Sequence, residues 1–283
     1  MNKTNYIIRQ IAKSHSKKYE NYVITRIWHL LNNSAIKIVT QQHIIRPDGR
    51  ALTDLYFPQI DLHIEIDEGQ HFTKDGQQTN DDVARDADII NATGHQIERI
   101  KVFDQTIEQI NSQIDILLSC IQEKISIGLN FVWDIDAEYK PETYIKKGFI
   151  SACENIGFKT IADACNCFGH SYSGFQRGFT KHKIEDRMLW FPKLYENQYW
   201  KNSISPDETK IFESRVDNPC EHVKESIFNE NMLKERLVFA HAKNNLGETL
   251  YRFKGVFRLN PQSSNETTIV YDRIDSKVKT YSP

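Results

Sequence analysis

Residues 60–72 carry the sequence IDLHIEIDEGQHF, in which apolar and charged side chains alternate. In a β-strand, successive side chains point to opposite faces. One face of this strand carries Leu62, Ile64 and Ile66, and the other carries Asp61, His63, Glu65 and Asp67. The apolar face must lie against a core, whereas the acidic face must be either solvated or held by a cation.

The acidic row has two interpretations. Three carboxylates within about 5 Å of one another repel by about 3 kcal/mol per pair at an effective dielectric constant near 20. A buried row therefore requires a compensating cation, and Mg²⁺ or Mn²⁺ suits it because hard cations prefer carboxylate oxygens. The alternative is the outer, solvated face of an edge strand, where the acids have no specific role.

Composition and length indicate a soluble globular protein, since 283 residues are enough for two domains. No stretch approaches the roughly 18 apolar residues of a membrane span. The polar N-terminal sequence has no apolar signal core, so we expect a cytoplasmic protein without a membrane partner. The five cysteines show no zinc-binding spacing, which predicts reduced thiols.

Charge is unevenly distributed along the chain, although the formal net charge is only −2. Residues 1–50 hold nine Lys and Arg against two acids, while residues 51–90 hold two against ten. A concentrated acidic site beside a basic region suits a protein that brings metal ions to a polyanion. Solvated surface explains such charge blocks equally well.

Hydrophobic periodicity predicts an α+β chain. The predicted elements of the first half are a helix at 4–33, strands at 35–42, 53–57 and 61–67, a helix at 81–92, a strand at 96–103 and a helix at 106–125. This order predicts a small mixed sheet with helices around it. The second half is richer in aromatic residues and ends in predicted strands at 236–242, 249–259 and 267–274.

Asp54 extends the acidic row to a neighbouring strand. The turn at residues 58–60 places it opposite Glu65 in an antiparallel pair. An Asp followed by an apolar strand that ends in Glu-x-Asp is the general form of a nuclease metal site, in which the acids hold the metal and orient the attacking water. The sequence therefore predicts that Asp54, Glu65 and Asp67 bind the metal. Asp61 and His63 lie nearer the turn, where they contact either the metal or solvent.

The segments TDLYFPQIDLHIEIDEGQHF and DDVARDADIINATGHQIERIKVF resemble the Vsr-like branch of the PD-(D/E)XK nucleases over about residues 1–125. The matching positions are Asp54, Glu65, Asp67, Gly69, His71, Arg85, Asp86, Gly94 and 97–102. The resemblance implies that Glu20, on the first helix, supports the metal site. It also implies that His71 assists catalysis, either as a general base or by donating a hydrogen bond to the phosphate. Glu68 departs from the family, which often has Gly there.

The run MLWFPKLYENQYWKNSISPDET at 188–209 is the densest aromatic segment. Aromatic residues in a half-buried β domain usually pack in the core, but Trp and Tyr beside Asn and Asp also form pockets for flipped bases. Extruding a base costs a few kcal/mol, and stacking returns about 1–3 kcal/mol per face. Basic residues near this run are candidates for phosphate contacts: Arg177, Lys181, Lys183, Arg187 and Lys193.

The whole chain is similar to the 5-hydroxymethylcytosine-dependent restriction endonucleases, through WFPKLYENQYWKNS, RFKGVFRLN and TTIVYDRI as well as its first half. The resemblance implies a Vsr-like endonuclease domain at 1–128, a joint at 129–142 and an SRA-like curved β domain at 143–283. It also implies a homodimer that cuts double-stranded DNA at a distance from a flipped 5-hydroxymethylcytosine or its glucosylated form. The pocket candidates carried onto this chain are Trp190, Tyr195, Trp200, Asn202 and Asp207.

Two alternatives remain open from the sequence. One is a repair endonuclease that nicks a single strand near a mismatch. The other is a non-cleaving reader of modified DNA with a decayed nuclease domain, against which the intact set Asp54, Glu65 and Asp67 argues.

Overall fold

The computed structural model describes residues 2–46, 49–68, 89–90, 93–243 and 246–283. They divide into two compact units, Met1–Ile135 and Asp136–Pro283. Most of the predicted helix at 81–92 lies outside the described residues, as do Gly69, His71, Arg85 and Asp86.

The five cysteines are all described and all free, as predicted. None of the described helices is long and apolar enough to span a bilayer.

The first unit consists of helices around a four-stranded mixed sheet. Its elements are α1 (Lys3–Lys13), α2 (Lys18–Leu31), β1 (Val39–Arg46), β2 (Gly49–Phe57), β3 (Leu62–Asp67), β4 (Gln96–Lys101) and α3 (Ile107–Ile127). The strand order is β1-β2-β3-β4. The first two pairings are antiparallel and the third is parallel, which gives the mixed sheet that the sequence predicts.

The single helix predicted at 4–33 is wrong in one respect, because the chain breaks it into α1 and α2. The Ser14 hydroxyl donates to the Ile11 carbonyl at 2.9 Å, and the Asn21 amide donates to the Ser14 hydroxyl at 3.1 Å. These side-chain bonds compete with the helical backbone pattern. After the break, α2 starts at Lys18 and carries Glu20 on its buried face.

β3 is an interior strand, with β2 on one side and β4 on the other, and all six of its residues are buried. The apolar residues Leu62 and Ile64 are fully enclosed. The acids of the opposite face are also enclosed, since Glu65 is 5% exposed and Asp67 is 4% exposed. A solvated edge strand is therefore wrong for this segment.

The second unit is a β domain with short helices. Its elements are α4 (Pro141–Lys147), β5 (Phe149–Ser151), β6 (Gly157–Phe158), α5 (Ile161–Asn166), β7 (Phe179–Lys181), β8 (Met188–Trp190), β9 (Ser203–Ile204), β10 (Lys210–Glu213), α6 (Pro219–Ile227), α7 (Glu230–Leu233), β11 (Arg236–Lys243), β12 (Thr249–Leu259), β13 (Ile269–Asp275) and β14 (Lys277–Lys279). The main sheet runs β7-β8-β11-β12-β13-β10-β9, and β6 pairs with β12. The three predicted C-terminal strands coincide with β11, β12 and β13.

The main sheet of the second unit carries a core cluster on each face. In β8, Leu189 joins one cluster and Trp190 the other, because consecutive strand residues point to opposite faces. β-bulges after Val238 and Val256 interrupt the pairing of β11 with β12 and of β12 with β13. Bulges of this kind bend and twist a sheet.

Gly255 lies beside the second bulge with φ of +116°, and a Cβ there would come within 2.7 Å of the Asp275 carbonyl oxygen and of Arg273 Cδ. Gly255→Ala is therefore expected to lower the free energy of unfolding by about 1–3 kcal/mol, the usual cost of a strained backbone position. Urea denaturation measures this loss. Gly174→Ala is the matched control, since a Cβ there meets nothing within 4 Å; equal stability of the two variants would contradict the prediction.

Candidate active site and base-binding pocket

The structure brings Asp54 and Glu65 together across neighbouring strands. The β2–β3 register pairs Leu55 with Ile64, so the adjacent positions Asp54 and Glu65 lie opposite each other. Asp54 Oδ2 accepts a hydrogen bond of 2.8 Å from the Ile66 backbone amide. This bond holds the Asp54 carboxylate, which belongs to β2, against β3, the strand that carries the acidic row.

Glu20 reaches the same place from α2. Gln41 Nε2 donates to Glu20 Oε1 at 2.8 Å and to Asp54 Oδ1 at 3.2 Å. Lys17 Nζ lies 2.6 Å from Glu20 Oε2 and 3.8 Å from Asp54 Oδ1. Gln41 has φ of +52°, a left-handed conformation that is uncommon for a residue other than glycine. Two carboxylates thus share one amide and one ammonium.

The electrostatics of this cluster favour a cation. Burial raises the pKa of Glu20, and the negative charge of Asp54 acts in the same direction. The hydrogen bonds from Lys17 and Gln41 lower this pKa, yet the net shift is upward. The ionised form of Glu20 is therefore under-compensated by the surrounding groups, and an added positive charge stabilises it.

Asp67 ends the acidic row at the end of β3. Arg99 Nη1 on β4 forms an ion pair with Asp67 Oδ1. The parallel register pairs Glu65 with Arg99 and Asp67 with Lys101. The sequence analysis did not identify Arg99, Gln41 or Lys17, because their contacts depend on strand register and helix placement.

His63 is a packed interior residue, 1% exposed. Its Nδ1 lies 2.9 Å from Thr53 Oγ1, its Nε2 lies 3.2 Å from His95 Nδ1, and its ring stacks on Tyr56 at 4.1 Å. Burial, and then the neighbouring His95, lower the pKa of His63 to about 3, so the imidazole is neutral. Asp61 accepts a hydrogen bond of 2.7 Å from Asn130 at the turn before β3.

The carboxylates fit a hard divalent cation in chemical type, because Asp54, Glu65 and Glu20 offer oxygen donors. Within the part of the chain that the structure describes, no three His, Cys, Asp or Glu side chains are spaced to hold one ion together. Lys17 instead supplies the positive charge beside Glu20 and Asp54. His71, predicted to assist, lies outside the described residues.

Trp190, the first predicted pocket residue, is buried and packs against Tyr271 with ring centroids 5.0 Å apart. The Arg236 guanidinium lies 5.0 Å from the Trp190 centroid and 4.6 Å from that of Tyr271. Phe179 is the third ring around this guanidinium, at 5.3 Å. Trp190 thus forms part of an aromatic cage around a buried arginine.

Trp200 and Asn202 lie beside two residues that the sequence analysis did not identify, Glu213 and His222. The pairing of β9 with β10 places Asn202 opposite Glu213. His222 Nε2 is 3.2 Å from Glu213 Oε1, and its ring meets Trp200 edge to face at 5.2 Å. Asn202 is 6% exposed, and its Oδ1 has no hydrogen-bond partner among the described residues. A buried acceptor without a partner is costly.

The two remaining pocket candidates have partners of their own. Tyr195 is exposed, and its hydroxyl lies 3.2 Å from His241 Nδ1. Asp207 accepts hydrogen bonds from the Ser205 hydroxyl at 2.6 Å and from the Thr209 hydroxyl at 2.7 Å. These bonds lower the pKa of Asp207 to about 2 and stabilise the turn between β9 and β10.

Comparison with known proteins decides the family. Residues 4–122 match the family described as restriction endonuclease PvuRts1 I-like, N-terminal, and residues 143–280 match the SET and RING associated (SRA) domain. The solved structure of the 5-hydroxymethylcytosine-specific restriction enzyme AbaSI is 39% identical to this chain, with a TM-score of 0.78. The similarity covers 99% of this chain and 98% of that one. The chain belongs to the PvuRts1I-like restriction endonucleases.

Membership of the PvuRts1I-like family confirms the predicted fold and the predicted class of function. The protein is a DNA endonuclease of the modification-dependent restriction type, with an SRA domain in its second half. The family also suggests that the reaction uses a divalent metal ion. No curated protein sequence matches the chain.

Glu20→Gln is expected to raise the melting temperature of the metal-free protein at neutral pH. Folding raises the pKa of the Glu20 carboxyl, so the folded protein loses stability as the pH rises above the unfolded pKa of this group. Glutamine does not ionise, so the variant does not suffer this loss of stability. Thermal unfolding in EDTA measures the change. Glu123→Gln, at an exposed position of α3, is the control. A lower melting temperature for Glu20→Gln than for this control would show that the pair with Lys17 outweighs burial.

Proposed function

We propose that this protein is a Mg²⁺-dependent endonuclease that flips 5-hydroxymethylcytosine, or its glucosylated form, into the SRA domain and cuts double-stranded DNA at a distance. The observation that supports the base specificity is the buried Asn202 Oδ1 near Trp200, which has no hydrogen-bond partner among the described residues. The similarity to AbaSI supports the choice of modified base. Mn²⁺ is the alternative ion, since it takes the same oxygen donors.

Asp54 and Glu65 are the central metal ligands in this proposal, with Asp67 at the end of the row. A divalent cation bound there supplies Lewis-acid stabilisation of the negative charge that develops on the scissile phosphate. Glu20 positions Asp54 through their shared Gln41 amide. His71 assists as a general base or by donating to the phosphate.

The base pocket is built on Trp200 and Asn202, which lie two positions apart on the chain segment entering β9. Trp200 stacks on the flipped base, and stacking of this kind contributes about 1–3 kcal/mol. Asn202 Oδ1 accepts from the exocyclic amine of cytosine, a donor that thymine lacks. Trp190 supports the pocket from the core, and Asp207 holds the turn that carries it.

The protein acts as a homodimer in this proposal, because each PvuRts1I-like unit has one acidic row and a double-strand cut requires two strands to be hydrolysed. A single active unit would nick one strand, which is the repair-type alternative.

Digestion of three plasmids tests the proposal, with plain cytosine, 5-methylcytosine or glucosylated 5-hydroxymethylcytosine, each with Mg²⁺ and with EDTA. We expect Mg²⁺-dependent linear product from the hydroxymethyl-derived plasmid alone. Equal digestion of all three plasmids would refute the base specificity, and accumulation of open circles would favour a nickase. Tight binding of modified DNA without any digestion would favour a reader.

Asp54→Asn and Glu65→Gln are expected to reduce cleavage by at least about a hundredfold, because each removes a charged donor from the proposed metal site. Binding of modified DNA in EDTA should be unchanged, which a filter-binding or anisotropy assay measures. Glu123→Gln again serves as the control. Loss of DNA binding together with loss of the far-ultraviolet circular dichroism spectrum of the folded protein would assign these acids a structural role instead.

Trp200→Ala and Asn202→Ala are expected to reduce the preference for modified over plain DNA by about tenfold or more, since each group contributes about 1–3 kcal/mol to base recognition. Nuclease activity on plain DNA at high enzyme concentration should remain. Asn197→Ala is the control for Asn202→Ala, because Asn197 is a neighbouring amide whose side chain bonds to Tyr195 and Tyr199 within its own loop. An unchanged preference in both pocket variants would exclude these residues from the pocket.

A further inference from the structure

A basic surface of the second unit contains groups that the proposed base pocket does not use. It consists of Lys193, Tyr195, His241, Lys243 and Tyr251, and is named here the tyrosine–histidine patch. The β11–β12 register pairs His241 with Tyr251, and Lys243 follows His241 by two residues on the same strand face. Three chain segments therefore contribute to one surface.

His241 is held in a defined orientation within this patch. The Tyr195 hydroxyl lies 3.2 Å from its Nδ1, and the Tyr251 ring meets its ring edge to face at 5.6 Å. The His241 backbone amide donates to the Pro192 carbonyl at 2.9 Å. This bond ties β11 to the segment that carries Lys193 and Tyr195.

The contact with Tyr195 decides which nitrogen of His241 is available. When the Tyr195 hydroxyl donates to Nδ1, a neutral imidazole carries its proton on Nε2. Partial burial lowers the pKa of His241, and the charges of Lys193 and Lys243 lower it further. In that tautomer the neutral ring presents an N–H donor at Nε2, for which the described residues provide no acceptor.

Lys193 and Lys243 add two positive charges to this donor. Both side chains are exposed, and among the residues that the structure describes neither ammonium has an ion-pair partner. Both lysines lie near the same imidazole, because Lys243 is two residues from His241 on β11 and Lys193 follows Pro192, whose carbonyl accepts from the His241 amide. An oxyanion there would accept from His241 and relieve the repulsion between like charges.

We propose that the tyrosine–histidine patch binds a phosphodiester of the DNA backbone, with Lys193 and Lys243 neutralising the phosphate and His241 Nε2 donating to its oxygen. The inference rests on the proposed function, since it assigns a second DNA contact to the same domain. Phosphate contacts hold the duplex in place and carry no sequence information. Tyr195 is then a positioning residue for His241 and does not stack on the flipped base.

The salt dependence of DNA binding tests the patch. Dissociation constants of fluorescent duplexes, one with glucosylated 5-hydroxymethylcytosine and one with plain cytosine, are measured in EDTA over a series of KCl concentrations. For the double variant Lys193→Gln with Lys243→Gln, we expect the slope of log K against log[KCl] to fall by about 1–2, one unit per lost phosphate contact. Binding of both duplexes should weaken by the same factor.

Lys224→Gln is the control for charge alone, because Lys224 is an exposed lysine of α6 on the same domain. A slope in the double variant equal to that of Lys224→Gln would overturn the proposal. So would a selective loss of binding to the modified duplex, since that result would place the two lysines in base recognition.

Tyr195→Phe separates positioning from stacking, because it keeps the ring and removes the hydrogen bond to His241. We expect Tyr195→Phe and His241→Ala to weaken the binding of both duplexes to a similar extent, by about tenfold or more for one lost hydrogen bond to a charged group. Wild-type affinity in Tyr195→Phe would overturn the role of Tyr195. If the wild-type protein binds both duplexes equally, base specificity fails, whereas the slope still decides the patch.

Discussion

The burial of carboxylates on an interior strand is the constraint on which the first unit depends. Glu65 and Asp67 lie on β3, enclosed between β2 and β4, and Asp54 faces them from β2. Two such charges about 5 Å apart repel by about 3 kcal/mol at an effective dielectric constant near 20. The fold therefore brings donors from separate elements to the acids: Lys17 before α2, Gln41 on β1 and Arg99 on β4. Burial, together with the charge of Asp54, still leaves the pKa of Glu20 raised.

The second unit buries a positive charge, whereas the first unit buries negative ones. Arg236 is 2% exposed, and its guanidinium is enclosed by three aromatic rings. Desolvated cation–π contacts contribute about 2 kcal/mol each, and the Met232 carbonyl accepts a further bond of 3.3 Å. Tyr271, one of the rings, also donates to Glu213 at 3.3 Å. The cage around Arg236 is thereby connected to the strand that faces Asn202, so core packing and the proposed base pocket share one support.

Much of the fold was predictable because its signals are local. The alternation in β3 and the apolar stripe of α3 each occur within one segment, and both elements form where the pattern predicts. The break after α1 was missed because it depends on one serine that bonds back to a carbonyl. The aromatic run was harder to interpret, since Trp190 and Trp200 are the same residue type ten positions apart. Trp190 lies in the core and Trp200 at a polar cluster, and composition alone does not distinguish these environments.

The sequence by itself determined which residues are candidates for metal binding and base recognition: the row of acids on β3, Asp54 on the preceding strand β2, and the amide and aromatic side chains before β9. Motif order along the chain was also enough to indicate the family. Only the tertiary structure decided which partners these residues have. Arg99 contacts Asp67 because β3 and β4 pair in parallel, and Tyr195, in the segment after β8, contacts His241 on β11. Strand register and burial depend on contacts between residues far apart in the chain. A local sequence pattern contains no information about which distant residue will contact a given side chain.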